Sequence, residues 1–322
     1  MCPALYSMSY VFVHLQFDSK GRNFLHLAIQ NVDVETVLFL IGVSANVNSR
    51  IQDSSHRTPL HLAVSVRSEI IVRHLVRFGF SLAAESMMRT SIVKQLYTWR
   101  LLNNSAVIIS VLLENRIGPD AMDERGNNAL HVAVQCGHVE AVRALLTESS
   151  INAEAYNARG QNPLHILSQY AKDNAVAIFE LFRQSMPEYP INALDADENI
   201  ALFLAYTNGA ARLCRELLKA GGSLATINRH GVSIFNAQVP TKKLLYTLLD
   251  MLNAEPQWID GPVCHECTIK FSVKTRKHHC RHCGRLLCAK CSAKQIPIIK
   301  YDLTKPVRVC DVCFEMLTSG AR

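Results

Sequence analysis

Thr58-Pro59-Leu60-His61-Leu62-Ala63 decides how this chain folds, because the hexapeptide does not occur once. Asn23-Phe24-Leu25-His26-Leu27-Ala28 and Asn128-Ala129-Leu130-His131-Val132-Ala133 echo it, followed by Asn162-Pro163-Leu164-His165-Ile166-Leu167 and the weaker Ile200-Ala201-Leu202-Phe203-Leu204-Ala205. Their fourth positions are spaced by 35, 70, 34 and 38 residues. The 70 is a doubled interval and calls for a degenerate unit near Tyr97-Thr98, with Val107–Glu114 as its second helix. A period of this size is the mark of a stacked repeat architecture.

Each unit reads alike. A polar turn (Asp18-Ser-Lys-Gly21, Asp123-Glu-Arg-Gly126, Asn157-Ala-Arg-Gly160) precedes a short first helix. A second apolar stripe at helical spacing follows, as in Val34, Val37, Leu38 and Leu40, or Val139, Val142, Leu145 and Leu146. Glycine is expected to end that helix, as at Gly79 and Gly221-Gly222. Neither helix of such a pair can bury its apolar face alone, so neighbouring units must stack into one core. The pattern resembles about six ankyrin repeats over 18–253, the last (Asn228–Asn253) atypical. Between Met87 and Asn104 the turn glycine is lost, which predicts an irregular layer.

The repeated histidines would line up along such a stack, which invites a metal reading. A packing distance of about 10 Å between successive helices sets them too far apart to share an ion. Hydrogen bonds from Thr/Asn and His to turn backbone are the expectation instead. Cys136 and Cys214 fall on apolar stripes and are expected to be small buried hydrophobes.

Charge and cysteine are unevenly placed. The chain of 322 residues carries 34 Lys/Arg and 27 Asp/Glu, yet the 65 residues from Trp258 to Arg322 hold 12 basic and 5 acidic side chains. The remainder is neutral, with 22 of each sign. Eight of the 11 cysteines lie in the same tail. An apolar content of 49% excludes a mostly disordered chain. No segment offers the roughly 18 uncharged apolar residues of a membrane-spanning helix. The uncharged lead-in 1–17 lacks the basic n-region of a secretory signal and is expected to form a partial helix covering the first repeat.

The tail cysteines form four Cys-x-x-Cys pairs: Cys264/Cys267, Cys280/Cys283, Cys288/Cys291 and Cys310/Cys313, with 12, 4 and 18 residues between successive pairs. Two residues between thiolates let a tight turn aim both sulfurs at one ion, and four thiolates complete tetrahedral Zn²⁺. Eight ligands make two closed zinc sites, with no position left for a reactive water. Spacing alone leaves the pairing open. An interleaved one, first pair with third and second with fourth, would tie a segment with little core into one unit. Between the first and third pairs runs Arg276-Lys277-His278-His279-Cys280-Arg281-His282-Cys283-Gly284, with Lys305 and Arg308 before the last pair. Arg and His donors pinned to a metal frame on a short strand make a pocket for phosphate oxygens.

These residues carry a second resemblance. R-(R/K)-H-H-C-R-x-C-G, with a downstream R-V-C and an upstream W-x-x-D, is the signature of FYVE zinc fingers. Arg276–Gly284 and Arg308-Val309-Cys310 match it, whereas Trp258-Ile259-Asp260 is one residue shorter. The resemblance implies two Zn²⁺ held crosswise, Cys264, Cys267, Cys288 and Cys291 on one ion and Cys280, Cys283, Cys310 and Cys313 on the other. It also implies that Arg276, Lys277, His278, His279, Arg281 and Arg308 contact the headgroup of phosphatidylinositol 3-phosphate, with Asp260 reaching its hydroxyls from the shifted register. Val273 and Lys274, at the tip of Phe271–Thr275, stand where the family inserts into the bilayer; one Val contributes roughly 1.5–3 kcal/mol at most.

The expected fold is therefore mostly α: an ankyrin-repeat solenoid followed by a small two-zinc, cross-brace α+β finger. Its parts are a lead-in (1–17), repeats (18–253) and a FYVE-type finger (254–322). The combination resembles the C-terminal part of endosomal proteins that carry both modules. That implies a non-enzymatic adaptor, cytoplasmic and peripheral on early endosomes, with a Rab-type small GTPase or another protein on the repeats. A RING-like ubiquitin ligase shares the cross-brace frame, but its ligand sets usually include His. Nucleic-acid binding would need a helix or aromatic platform under the charges, and the tail offers neither. Gly-rich phosphate loops, nucleophile elbows and HExxH motifs are missing.

Overall fold

The structure, a computed structural model, describes residues 17–54, 56–82, 110, 120, 122–239 and 242–319. The chain divides into two compact units, Met1–Asn157 and Ala158–Arg322. The lead-in up to residue 16, the degenerate unit near Tyr97-Thr98 and the irregular layer expected at 87–104 lie outside the described residues.

The first unit is built of helix pairs: α1 (Phe24–Gln30) with α2 (Val34–Gly42), α3 (Pro59–Ser65) with α4 (Glu69–Leu82), and α5 (Ala129–Cys136) with α6 (Val139–Glu148). The hexapeptide works as a capping box. Asn23 accepts from the His26 backbone N–H (3.0 Å), while His26 Nδ1 accepts from the Asn23 N–H (3.1 Å). Thr58 with His61 and Asn128 with His131 repeat it, their N–H···Nδ1 distances being 3.1 and 3.3 Å. Two otherwise unpaired donors at each helix start are thus satisfied. The other nitrogen of His26 donates to the Ser49 carbonyl (3.2 Å), so this ring has no lone pair for an ion.

Helix α4 runs through Gly79 to Leu82 and does not stop at the glycine. Glycine interrupts a helix only at a modest cost, and the upstream stripe of Ile71, Val72, Leu75 and Val76 is buried and holds the helix. Cys136 is half-buried at the end of α5, where the helix meets its left-handed cap Gly137, and is not a core residue.

In the second unit the pairs are α7 (Pro163–Gln169) with α8 (Ala175–Ser185) and α9 (Ala201–Thr207) with α10 (Ala211–Lys219), followed by α11 (Lys243–Asp250), which packs on α10. Asn162 and His165 close the capping box of α7, and His165 donates on to the Ala193 carbonyl (2.9 Å). Helix α9, which has Phe203 in place of His, has no side-chain cap. Phe179, Phe182, Leu213, Cys214 and Leu217 form the core. Burial pushes the Cys214 thiol up to about 12, which makes it an inert apolar filler.

The finger completes this unit. Hairpin β1 (His278–His279) and β2 (Leu286–Leu287) pairs His278 with Leu287, and β3 (Lys294–Ile298) pairs antiparallel with β4 (Leu303–Val309). Helix α12 (Asp311–Ser319) packs against β3 and α11. Among the described residues no helix is long and apolar enough to cross a membrane.

Candidate functional site

The eight tail sulfurs gather into two groups, Cys264, Cys267, Cys288 and Cys291, and Cys280, Cys283, Cys310 and Cys313, each with its Sγ atoms within 4.8 Å of one another. Four sulfurs about 2.3 Å from one Zn²⁺ lie at tetrahedron edges of about 3.8 Å. Cys267 and Cys288 are 3.8 Å apart and Cys283 and Cys310 4.0 Å, far beyond the roughly 2.05 Å of a disulfide. Both quartets therefore fit two metal ions. Backbone N–H groups help to hold the sulfurs: Cys288 donates to Cys264 (3.3 Å) and Cys313 to Cys310 (3.5 Å). His282 is not a ligand; its buried ring stacks on Tyr301 and sets Nδ1 3.4 Å from Cys313 Sγ.

Around this frame the strands collect the basic motif. Register places Gln295 opposite Arg308, and the Arg281 backbone N–H donates to the Arg308 carbonyl (2.9 Å), which brings the two arginines together. A cavity of about 440 Å³ lies here, lined by Lys277, His278, His279, Arg281 and Arg308 with Trp258 and Gln295 among its walls. Arg276 is not among the lining residues. Trp258 organises one side: His279 stacks on it at 4.8 Å and the Arg281 guanidinium lies 4.0 Å from its ring centre. His279 Nε2 donates to the Ile259 carbonyl (3.0 Å), so the shortened Trp-Ile-Asp segment is locked to β1. Asp260 points at Lys277 (2.5 Å), and that ammonium holds its carboxyl below the usual carboxylate range. Burial, with Arg308 and Arg276 nearby, holds His278 below the ordinary histidine range.

Val273 is 98% exposed, and Ser272 and Thr275 exchange backbone hydrogen bonds (3.1 Å each) that close a tight turn beneath Val273 and Lys274. Sequence reasoning missed three contributors. Arg285 is fully buried, bonding the His265 carbonyl (2.7 Å) and Glu266 (2.6 Å) while facing Phe235 of the last repeat at 4.1 Å. His265 in turn faces the Ala225 carbonyl (3.2 Å). Glu255 meets Arg281 at 3.0 Å. A charged residue set between Gly284 and Leu286-Leu287 was the available hint for Arg285.

The chain belongs to the ankyrin-repeat proteins: the family of ankyrin repeats (3 copies) matches residues 5–86 and 82–181. Its tail is a FYVE zinc finger, matched over residues 257–319. Among individual proteins the chain is 58% identical to Rabankyrin-5 of Mus musculus over 305 residues, which is 95% of this chain and 26% of that protein. The chain thus spans about a quarter of the length of such relatives. Over 69 residues it is 54% identical to the hepatocyte growth factor-regulated tyrosine kinase substrate of Drosophila melanogaster, covering 20% of this chain and 9% of that one. The ankyrin repeat domain of Bcl-3 matches in fold, with a TM-score of 0.54 and 23% identity over 72% of this chain and all of that one.

Proposed function

We infer that this chain is a non-enzymatic adaptor whose finger (254–322) binds phosphatidylinositol 3-phosphate and whose repeats (18–253) hold a protein partner, for which we propose a Rab-type small GTPase. Its place is the cytoplasmic face of early endosomes, as a peripheral protein. The observation that carries the lipid reading is the cavity in which Lys277, His278, His279, Arg281 and Arg308 converge beside two cysteine quartets. Planar guanidinium forks suit phosphate oxygens, and the cysteine frame fixes them without a large core. Arg276 and Asp260 serve the same headgroup from the rim, and Val273 with Lys274 enters the bilayer surface. One such tip binds modestly, so residence on a membrane gains from a second attachment.

Vesicle co-sedimentation tests this. The full chain should pellet with vesicles containing phosphatidylinositol 3-phosphate and stay in solution with the 4-phosphate isomer or phosphatidylserine alone. Replacing Arg308 by Ala should weaken binding about 10–100-fold, the loss of a charge-assisted contact, while two zinc ions per chain are retained. Equal pelleting on every anionic vesicle would reduce the site to nonspecific charge.

A further inference from the structure

One of the cavity's two arginines, Arg281, already has an anion. Glu255, in the segment that leaves α11 for the finger, turns one carboxylate oxygen to Arg281 Nη1 (3.0 Å), and the Trp258 indole N–H donates to the same oxygen (3.2 Å). Arg281, a wall of the headgroup cavity, lies over the Trp258 ring, and Glu255 holds this stacked cation from the neighbouring cavity, which shares Trp258 as a wall. The segment is pressed onto the finger. Gly284 has φ +76°, and a Cβ there would stand 2.7 Å from the Gln257 carbonyl and 3.2 Å from Pro256. Only glycine allows the backbone to come this close, and the close approach delivers Glu255 to Arg281.

We propose that Glu255 is a resident competitor for the phosphate: it occupies Arg281 in the free protein and must leave before a phosphorylated headgroup can use that guanidinium. The inference rests on the headgroup reading above. A tethered carboxylate competes at high effective concentration with any anion that needs Arg281. A carboxylate carries one charge and two acceptor oxygens, whereas a phosphomonoester carries about −1.5 to −2 and three. The phosphomonoester can displace it, and a carboxylate or phosphodiester headgroup exchanges one single charge for another with nothing gained. Glu255 thereby sets the threshold for engaging the site, and the first residues of the finger become part of the lipid reader.

The test is a double-mutant cycle in the full chain, titrated with soluble inositol 1,3-bisphosphate, with zinc content as the folding check. Glu255→Gln keeps the shape and an amide oxygen for the Trp258 and Arg281 donors but removes the charge. It should tighten binding about threefold to fivefold, the range of an exposed ion pair. In an Arg281→Ala background the same change should give no gain. Unchanged or weaker binding in Glu255→Gln would make the residue a mere prop for Arg281. A gain that persists without Arg281 would be general charge relief, and either result overturns the proposal. Failure of the wild-type chain to prefer phosphatidylinositol 3-phosphate vesicles would instead sink the headgroup reading, and this inference with it.

Discussion

The repeat turns show how a single backbone angle is chosen and where the choice was compromised. Asp18 accepts from the N–H groups of Lys20 and Arg22 (2.9 and 2.8 Å), and Asp123, Asp195 and Asn228 do the same in their turns. The fourth turn residue then takes positive φ: Gly21 (+70°), Gly126 (+74°), Gly160 (+63°) and Gly231 (+74°). Glu198 stands at +61° in the equivalent place. A side chain in this region costs about 1–2 kcal/mol, partly offset in a glycine variant by the looser unfolded chain. Glu198→Gly is therefore expected to stabilise the second unit by about 0.5–1 kcal/mol, read as a higher urea midpoint with an unchanged slope; a lower midpoint would contradict it. The turn pattern was legible because Asp and Gly act on their own backbone. Arg285 was not, because the Phe235 ring that receives it is fifty residues away in sequence.

Among the elements, the short first helices α1, α3, α5 and α7 owe their starts to neutral histidine. Each capping Nδ1 accepts a backbone N–H, which protonation forbids. Burial, with Arg50 and Arg57 adding to it, drops His61 to about 4, and burial lowers His26 and His165 too. A folded-state value below the unfolded one, about 6.5, means that the unfolded chain binds more protons as pH falls. The stability these histidines contribute is present above about pH 6.5 and is lost as the pH falls toward 4. For His61 the loss is on the order of 2 kcal/mol. Denaturant midpoints at pH 7.5 and 5 should show it, and His61→Gln, which can still close a capping box, should flatten that part of the slope. An identical slope in the variant would remove the histidine from the account. The same geometry weighs against a shared ion: each capping Nδ1 accepts a backbone N–H, and the other ring nitrogen of His26 and of His165 donates to a carbonyl.

At the scale of the whole molecule, the second unit joins two ways of making a fold. Its repeats bury apolar side chains, while its finger has little core and depends on thiolates. Phe235 and Ala225 of the repeats meet Arg285 and His265 of the finger, and Lys300 reaches the Asp250 carbonyl (3.2 Å) at the end of α11. Zinc removal should therefore unfold more than the finger. Chelation is expected to abolish lipid binding and to lower the unfolding temperature of the Ala158–Arg322 unit while the Met1–Asn157 unit keeps its own transition. Calorimetry with and without chelator decides this; two unshifted transitions would mean that the frame stands without metal. The repeat period, the helix starts, the four Cys-x-x-Cys pairs and the basic motif were legible in the chain, because each is written in spacings of two to four residues or in a period that repeats, whereas the crosswise grouping of the sulfurs needed the fold. Folding alone buries Arg285 on Phe235, sets His279 and Arg281 on Trp258 and brings Glu255 to Arg281. Those contacts join residues that no local periodicity relates, and they exist only once the chain has packed.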